Sequence, residues 1–245
     1  MDDVTAAKAA IALLDLTSLN DNDSAPRIEK LCKKAVTSFG NVRAVCIYQK
    51  FIPVAKELLR DTNIKIATVV NFPKGDSTIK TVRDEIKKAI SSGAEEIDAV
   101  LPYKKLIAGN IDAVREFLEM VVEECGKKTT TKIIIESGEL KKSGLISQAC
   151  DLCIEAGVNF IKTSTGKTEI SATPETANLI LEKIKESGKD IGLKVSGGIK
   201  TSYDAKKYLI LANTVMGEKW ISPKHLRFGA SSLLDDLIKT IEQGY

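Results

Sequence analysis

From residue 42 to the end of the chain, short β-rich runs alternate with amphipathic stretches, and this alternation limits the possible folds more than any other feature. The runs are VRAVCIY (42–48), IKIATVVNF (64–72), EEIDAVLP (95–102), TKIIIES (131–137), VNFIKTS (158–164), IGLKVSG (191–197), NTVMG (213–217) and LRFGAS (226–231). Strands separated by helix-length segments pair in parallel, because the helix carries the chain back to the same end of the sheet. Eight such units are the number that closes a (β/α)8 TIM barrel. An N-terminal helix around residues 3–14 is expected to cap its bottom. An open doubly wound sheet is the runner-up, but the G-x-G-x-x-G turn of that fold does not follow the first run.

The intervening segments carry readable helix ends. In SATPETANLILEKIKESG, Thr173 is the N-cap and Pro174 sits in the first turn, while Ala177, Ile180, Leu181 and Ile184 form the inward face and Gly188 terminates it. DSTIKTVRDEIKKAISSG repeats the plan, with Ile79, Val82, Ile86 and Ile90 inward and Gly93 closing. No Pro/Ser-rich linker divides the chain, so residues 1–245 are read as one domain, a length usual for a barrel.

The N-terminal stretch MDDVTAAKAAIALLDL opens acidic and lacks a basic n-region, and no apolar run approaches the roughly 18 residues of a membrane span. A cytoplasmic protein with no membrane association is expected. The net charge of +3 is spread over mixed Lys/Glu helix faces such as EKLCKKA and RDEIKKA, which argues against nucleic acid and suits a small anionic substrate. Five cysteines, an odd number, do not suggest a disulfide framework. Cys150 and Cys153 form a C-x-x-C, but i and i+3 positions on a helix ending at Gly157 read as core packing rather than redox chemistry. The single histidine, His225, rules out zinc sites built on two or three histidines of one chain. Acid–base chemistry here falls to Lys, Asp, Glu, Tyr or water, without a metal or cofactor.

In a barrel, catalytic groups stand at the C-terminal ends of several strands. The polar residues there are Cys46, Asp98, Glu136, Lys162 and Lys194. Lys162 lies inside the apolar run VNFIK, where lysine seldom sits unless paired or reactive. Lys194 follows one βα unit later and belongs on the neighbouring strand. Free lysine has a pKa near 10.4, and both desolvation and a second ammonium disfavour its charged form. Two adjacent barrel lysines therefore offer a Schiff-base nucleophile near neutral pH, with Asp98 able to hold a water or hydroxyl whose proton moves. Three glycine-bearing turns, TSTGKT (163–168), SGGIK (196–200) and FGASS (228–232), suit an anion bound by backbone N–H groups. GKT also resembles the end of a P-loop, but that motif needs glycine where the chain has Ile161.

The segments LNDND (19–23), ATVVNFP (67–73), EEIDAVLPY (95–103), IIIESGEL (133–140), FIKTSTGK (160–167), GLKVSGGIK (192–200) and FGASSLL (228–234) resemble the 2-deoxy-D-ribose-5-phosphate aldolases, in order and with compatible spacing. The resemblance implies a class I aldolase that reversibly cleaves 2-deoxy-D-ribose 5-phosphate to D-glyceraldehyde 3-phosphate and acetaldehyde in deoxyribonucleotide catabolism. It also implies a homodimer. By the same motifs Lys162 corresponds to the Schiff-base lysine, Lys194 to the neighbour that tunes it, and Asp98 to the carboxylate of a proton relay. Lys167 joins the substrate network. Gly166, Gly197, Gly198, Gly229, Ser231 and Ser232, with Thr165 and Lys200, form the substrate and phosphate set. Asp15, Thr17, Asn20 and Cys46 belong to the pocket.

Many relatives carry arginine where this chain has Lys200, which keeps the charge but loses the bidentate fork. Tyr245, closing IEQGY, corresponds to a tail tyrosine that in some relatives donates a proton to the enamine. Cys46 at a strand end is expected to trap unsaturated aldehydes formed by acetaldehyde self-condensation. Three alternatives stay open. Another Schiff-base barrel lyase could act on a different phosphorylated sugar. A non-catalytic phosphometabolite-binding barrel would keep its affinity in Lys162→Ala. A purely structural partner protein leaves both strand lysines unexplained.

Overall fold

The computed structural model describes residues 1–244, and Tyr245 lies outside them. Eight parallel strands close into a barrel: β1 (Leu14–Ser18), β2 (Ala44–Ile47), β3 (Lys65–Val70), β4 (Glu96–Val100), β5 (Thr130–Ile134), β6 (Phe160–Lys162), β7 (Gly192–Ser196) and β8 (Leu226–Ala230). Each is followed by a helix of the outer ring. Helix α1 (Asp3–Ala12) precedes β1, and the ring is α2 (Ala25–Lys34), α3 (Ile52–Leu58), α4 (Ile79–Ser92), α5 (Ile111–Cys125), α6 (Ser143–Ala156), α7 (Pro174–Ser187), α8 (Ser202–Met216) and α9 (Leu233–Gln243). β1 closes the barrel by pairing with both β2 and β8. None of the described helices is long and apolar enough to cross a membrane.

Two of the sequence expectations are corrected. LDLTS forms the first strand, β1; the helix ahead of it ends at Ala12 instead of running to residue 14. That helix packs against α8 and α9. NTVMG is not a strand but the last turn of α8, where the Thr214 hydroxyl donates to the Ile210 carbonyl and Gly217 N–H to that of Asn213. Its Thr-Val pair has β propensity, but the helix packing overrides it. The count of eight held because one strand was missed and one was misplaced.

Helices α4 and α7 form as their patterns require. Thr173 accepts from Thr176 N–H at 3.2 Å, Gly188 takes φ 63°, and Ala177, Ile180, Leu181 and Ile184 are all buried. Each of the larger three contributes roughly 1.5–3 kcal/mol relative to an exposed position. In α4, Val82 and Ile86 are fully buried, with Ile79 and Ile90 packed at the margin of the core. Cys150 and Cys153 are free thiols in the same core, consistent with packing rather than redox chemistry.

Strand alternation sends one set of side chains toward the helices and the other into the barrel. On β2 and β3 the inward residues are small or apolar: Ala44, Cys46, Ala67 and Val69 form a cluster of their own with Leu19. From β4 round to β1 the inward residues are Glu96, Asp98, Lys132, Lys162, Lys194, Arg227 and Asp15, every one of them buried. Phe160 also points inward, below Lys162. Gly192 has no side chain because a Cβ there would lie 2.4 Å from the Phe160 ring.

Candidate active site

The inward charges on neighbouring strands meet in a single network. Register pairs Lys162 with Lys194, and Asp98 with Lys132. Lys162 Nζ donates to Asp98 Oδ2 at 2.7 Å, and Lys194 Nζ donates to the same oxygen at 2.8 Å. Lys132 Nζ donates to Asp98 Oδ1 at 2.8 Å and pairs with Glu96 at 2.5 Å. Behind them Lys194 reaches Asp15 at 2.5 Å, and Arg227 joins Asp15 at 2.6 Å to Glu96 at 3.1 Å. Buried charges persist only when paired and hydrogen-bonded, and each of these is.

Charge counting then separates the two active-site lysines. The network holds four cations (Lys132, Lys162, Lys194, Arg227) and three carboxylates (Asp15, Glu96, Asp98). Losing one proton makes it neutral, and the physics of each site says which group loses it. Burial pushes Lys162 down; Asp98 opposes this and Lys194 adds to it, leaving the amine below the ordinary lysine range. Burial also pushes on Lys194, but Asp15 and Asp98 outweigh it and hold that ammonium well above the ordinary range. Lys132 is held up by Asp98 and Glu96 against the same burial. Lys162 is thus the readily deprotonated amine of the network, with Lys194 the fixed positive charge beside it. Its side chain is also 4 % exposed, whereas those of Lys194 and Lys132 are wholly enclosed.

Asp98 is not a simple general base. Burial alone would raise its carboxyl, but Lys132, Lys162 and Lys194 together hold it well below the usual carboxylate range. Its two oxygens anchor three ammonium groups, so any relay through it needs a water or hydroxyl to take over one of those bonds.

A cavity of about 220 Å³ opens at the C-terminal ends of the strands. Thr17, Asn20, Gly166, Lys167, Gly197, Gly198, Lys200, Gly229, Ser231 and Ser232 all line it. Gly197 and Gly198 both take φ 84°, a conformation that favours glycine, and a Cβ on Gly197 would lie 2.4 Å from Ser171. Ser232 is the N-cap of α9 and makes no side-chain cap bond, which leaves its hydroxyl and the first-turn N–H groups open to an anion. Lys167 Nζ donates to the Leu19 carbonyl at 2.6 Å, tying the loop after β6 to the loop after β1.

Three of the expected pocket residues sit differently. Asp15 does not line the cavity; it is wholly buried in the ion network beneath it. Thr165 gives both its donors to Glu136, N–H at 3.2 Å and hydroxyl at 2.5 Å, so it holds the loop rather than a ligand. Cys46 faces the barrel interior near the lysines but is fully enclosed, and burial pushes its thiol up, which disfavours the thiolate an aldehyde trap needs. The expectation for Tyr245 falls outside the described residues.

Sequence reasoning missed Lys132, Glu96 and Arg227, and gave Glu136 no role. Lys132 carries the signal that revealed Lys162, a lysine beside an apolar run, and it stands in mid-strand in register with Asp98. Glu136 is buried at φ 52° and accepts from Thr165 and Thr168; burial raises its carboxyl.

The same architecture recurs in known proteins. A protein from Toxoplasma gondii ME49, provisionally assigned as a deoxyribose-phosphate aldolase, superposes with a TM-score of 0.90 at 25 % identity over 98 % of this chain and 97 % of its own. An aldolase called QR15 gives 0.83 at 26 % identity over 96 % and 97 %. The tetrameric deoxyribose phosphate aldolase of Aeropyrum pernix gives 0.80 at 20 % identity over 100 % and 98 %, a likeness of fold. Residues 9–239 match the model of the DeoC/LacD family aldolases, so the chain belongs to that family and is a lyase of the aldolase type.

Proposed function

We propose that the protein is a class I aldolase that reversibly cleaves 2-deoxy-D-ribose 5-phosphate to D-glyceraldehyde 3-phosphate and acetaldehyde through a Schiff base on Lys162. The observation that carries this reading is the opposite poise of two in-register lysines: one amine easily deprotonated, the other fixed as ammonium, both on Asp98. In the cleavage direction the neutral Lys162 amine adds to C1 of the open-chain aldehyde, and the carbinolamine loses water to give a protonated imine. The C3 hydroxyl then gives up its proton to a water bonded to Asp98, which returns it when the enamine is protonated, while the C2–C3 bond breaks. Its electron pair moves into the imine, leaving an enamine and releasing D-glyceraldehyde 3-phosphate. Protonation at C2 and addition of water free acetaldehyde and restore the amine. The Lys194 ammonium supplies fixed positive charge beside the nitrogen throughout, and Asp98 orients both amines through its paired bonds. In this reading Gly197, Gly198, Ser231, Ser232 and Lys200 receive the phosphate, and their shared lining of the mouth cavity supports it.

The family membership, with a TM-score of 0.90 at 25 % identity to the Toxoplasma gondii protein, supports the deoxyribose phosphate specificity. Cytoplasmic deoxyribonucleotide catabolism and a homodimer belong to the same reading, with sedimentation analysis separating dimer from tetramer. The direct test is turnover of 2-deoxyribose 5-phosphate within a panel of sugar phosphates. Preferential release of acetaldehyde from it, abolished in Lys162→Ala, supports the proposal. Turnover of another sugar phosphate in its place moves the chain to a different Schiff-base lyase, and folded protein that binds sugar phosphates without turning any over makes it a binding barrel.

A further inference from the structure

At the opposite end of the barrel, around the N-terminal ends of the strands, lies a second and larger cavity of about 450 Å³. Arg43 enters it just ahead of β2, Thr130 from the start of β5, Asn159 ahead of β6, Asp190 ahead of β7, and Lys224 ahead of β8. Arg227 forms its inner wall and links it to the ion network.

The charges here are not equally satisfied. Lys224 is paired with Asp190, which also meets His225 Nε2 at 2.7 Å. Arg227 is held by Asp15, Glu96 and the Pro223 carbonyl. Arg43 has neither a carboxylate nor a hydrogen-bond acceptor for its guanidinium among the described residues. Its Nε is shielded from solvent and unbonded. A guanidinium is charged at every working pH, and a shielded N–H without an acceptor is costly. Natural proteins leave few such groups without a reason.

We propose that this bottom cavity is a second oxyanion site, taking a phosphate group with Arg43 as its principal ligand. The two terminal Nη groups of Arg43, which no acceptor among the described residues holds, match a phosphate through two parallel N–H bonds, with the shielded Nε outside them. Asn159 uses its Oδ1 to accept from Thr131 N–H at 2.8 Å, which leaves its NH2 as a further donor, and the Thr130 hydroxyl lies on the same rim. The volume exceeds that of a bare phosphate and leaves room for a phosphomonoester. The site is independent of the aldolase reading, because it stands at the other end of the barrel from Lys162.

The chain supplies its own reporter. Its single tryptophan, Trp220, stacks on His225 with ring centroids 5.3 Å apart, and His225 is bonded to Asp190 of the cavity wall. Equilibrium dialysis with radiolabelled inorganic phosphate, on the full chain and on Arg43→Gln, counts the sites, and Trp220 emission during the same titration locates them. Arg43 makes no side-chain hydrogen bond or ion pair that the substitution removes, so Arg43→Gln should fold, which a melting curve verifies. The expected result is loss of one phosphate equivalent, or at least about a tenfold weakening of that equivalent, in Arg43→Gln. The saturable change in Trp220 emission should vanish with it, while sugar-phosphate turnover is unchanged. Equal phosphate binding by both proteins, or wild-type binding no stronger than that of chloride at matched ionic strength, overturns the proposal.

Discussion

The barrel interior has two unlike halves. On β2 and β3 it is lined by Ala44, Cys46, Ala67 and Val69, which together with Leu19 make a small apolar wall. From β4 round to β1 it holds seven ionisable side chains bonded into one network. Neither half alone makes a reactive amine. A lysine deep among carboxylates is locked as ammonium, as Lys194 is. A lysine in a purely apolar wall would lose its proton but have nothing to orient it. Lys162 stands at the edge of the network, with one carboxylate contact and a slight exposure that Lys194 and Lys132 lack, and its amine is lowered. Reactivity here comes from position along a gradient of polarity, not from residue type.

That contrast can be broken at several points. The largest effect is expected from Lys162→Ala, which removes the nucleophile and should lower kcat on the order of 10⁵-fold while the fold survives, as steady-state kinetics and circular dichroism together would report. Asp98→Asn comes next, because it leaves three ammonium groups short of their shared anion. Urea unfolding should show a loss of about 3–5 kcal/mol. Acid unfolding of the wild type belongs to the same test. Asp15, Glu96 and Asp98 are all held below their ordinary values, so their stabilisation is complete above the unfolded carboxylate range and is lost as pH falls through and below about 4.

Lys194→Met sharpens the comparison between the two lysines. Removing that ammonium takes away a cause of the Lys162 depression, so the Lys162 pKa rises and the acid limb of the pH–rate profile moves upward. Cys46→Ala makes a change on the apolar wall instead. It should cost about 1 kcal/mol of stability and leave the pH profile where it was. Unchanged aldehyde tolerance in the same variant would count against the trapping role expected of Cys46. The smallest effect is expected at the rim, where Lys200→Arg restores a bidentate fork and should lower KM for a phosphorylated substrate by about threefold.

Much of this was legible in the sequence because alternation and strand ends leave strong marks. Lys162 and Lys194 stand out as charges inside apolar runs, and Asp98 sits in EEIDAVL with the same inward phase as Glu96. The glycine turns around 166, 197 and 229 marked the loops that line the mouth. The unreadable parts have physical causes. LDLTS disappeared behind the apolar helix pattern that runs into it, and only the pairing of β1 with both β2 and β8 exposes it as a strand. Arg227 is near the start of its strand, where a rule about C-terminal ends does not look, and Lys132 is in mid-strand, in register with Asp98, but second in the run TKIIIES as the sequence delimits it. Their importance arises from closure of the barrel, which brings β5 and β8 against β4 and β1 through contacts distant in sequence.

The central claim is that Lys162, and not Lys194 or Lys132, is the free amine of the network. Borohydride reduction in the presence of acetaldehyde, followed by peptide mass spectrometry, tests it most directly. The account predicts a reduced ethyl adduct on Lys162 and none on the other two lysines, with the adduct lost in Lys162→Ala. An adduct on Lys194 or Lys132, or none on any lysine of the folded protein, would contradict it.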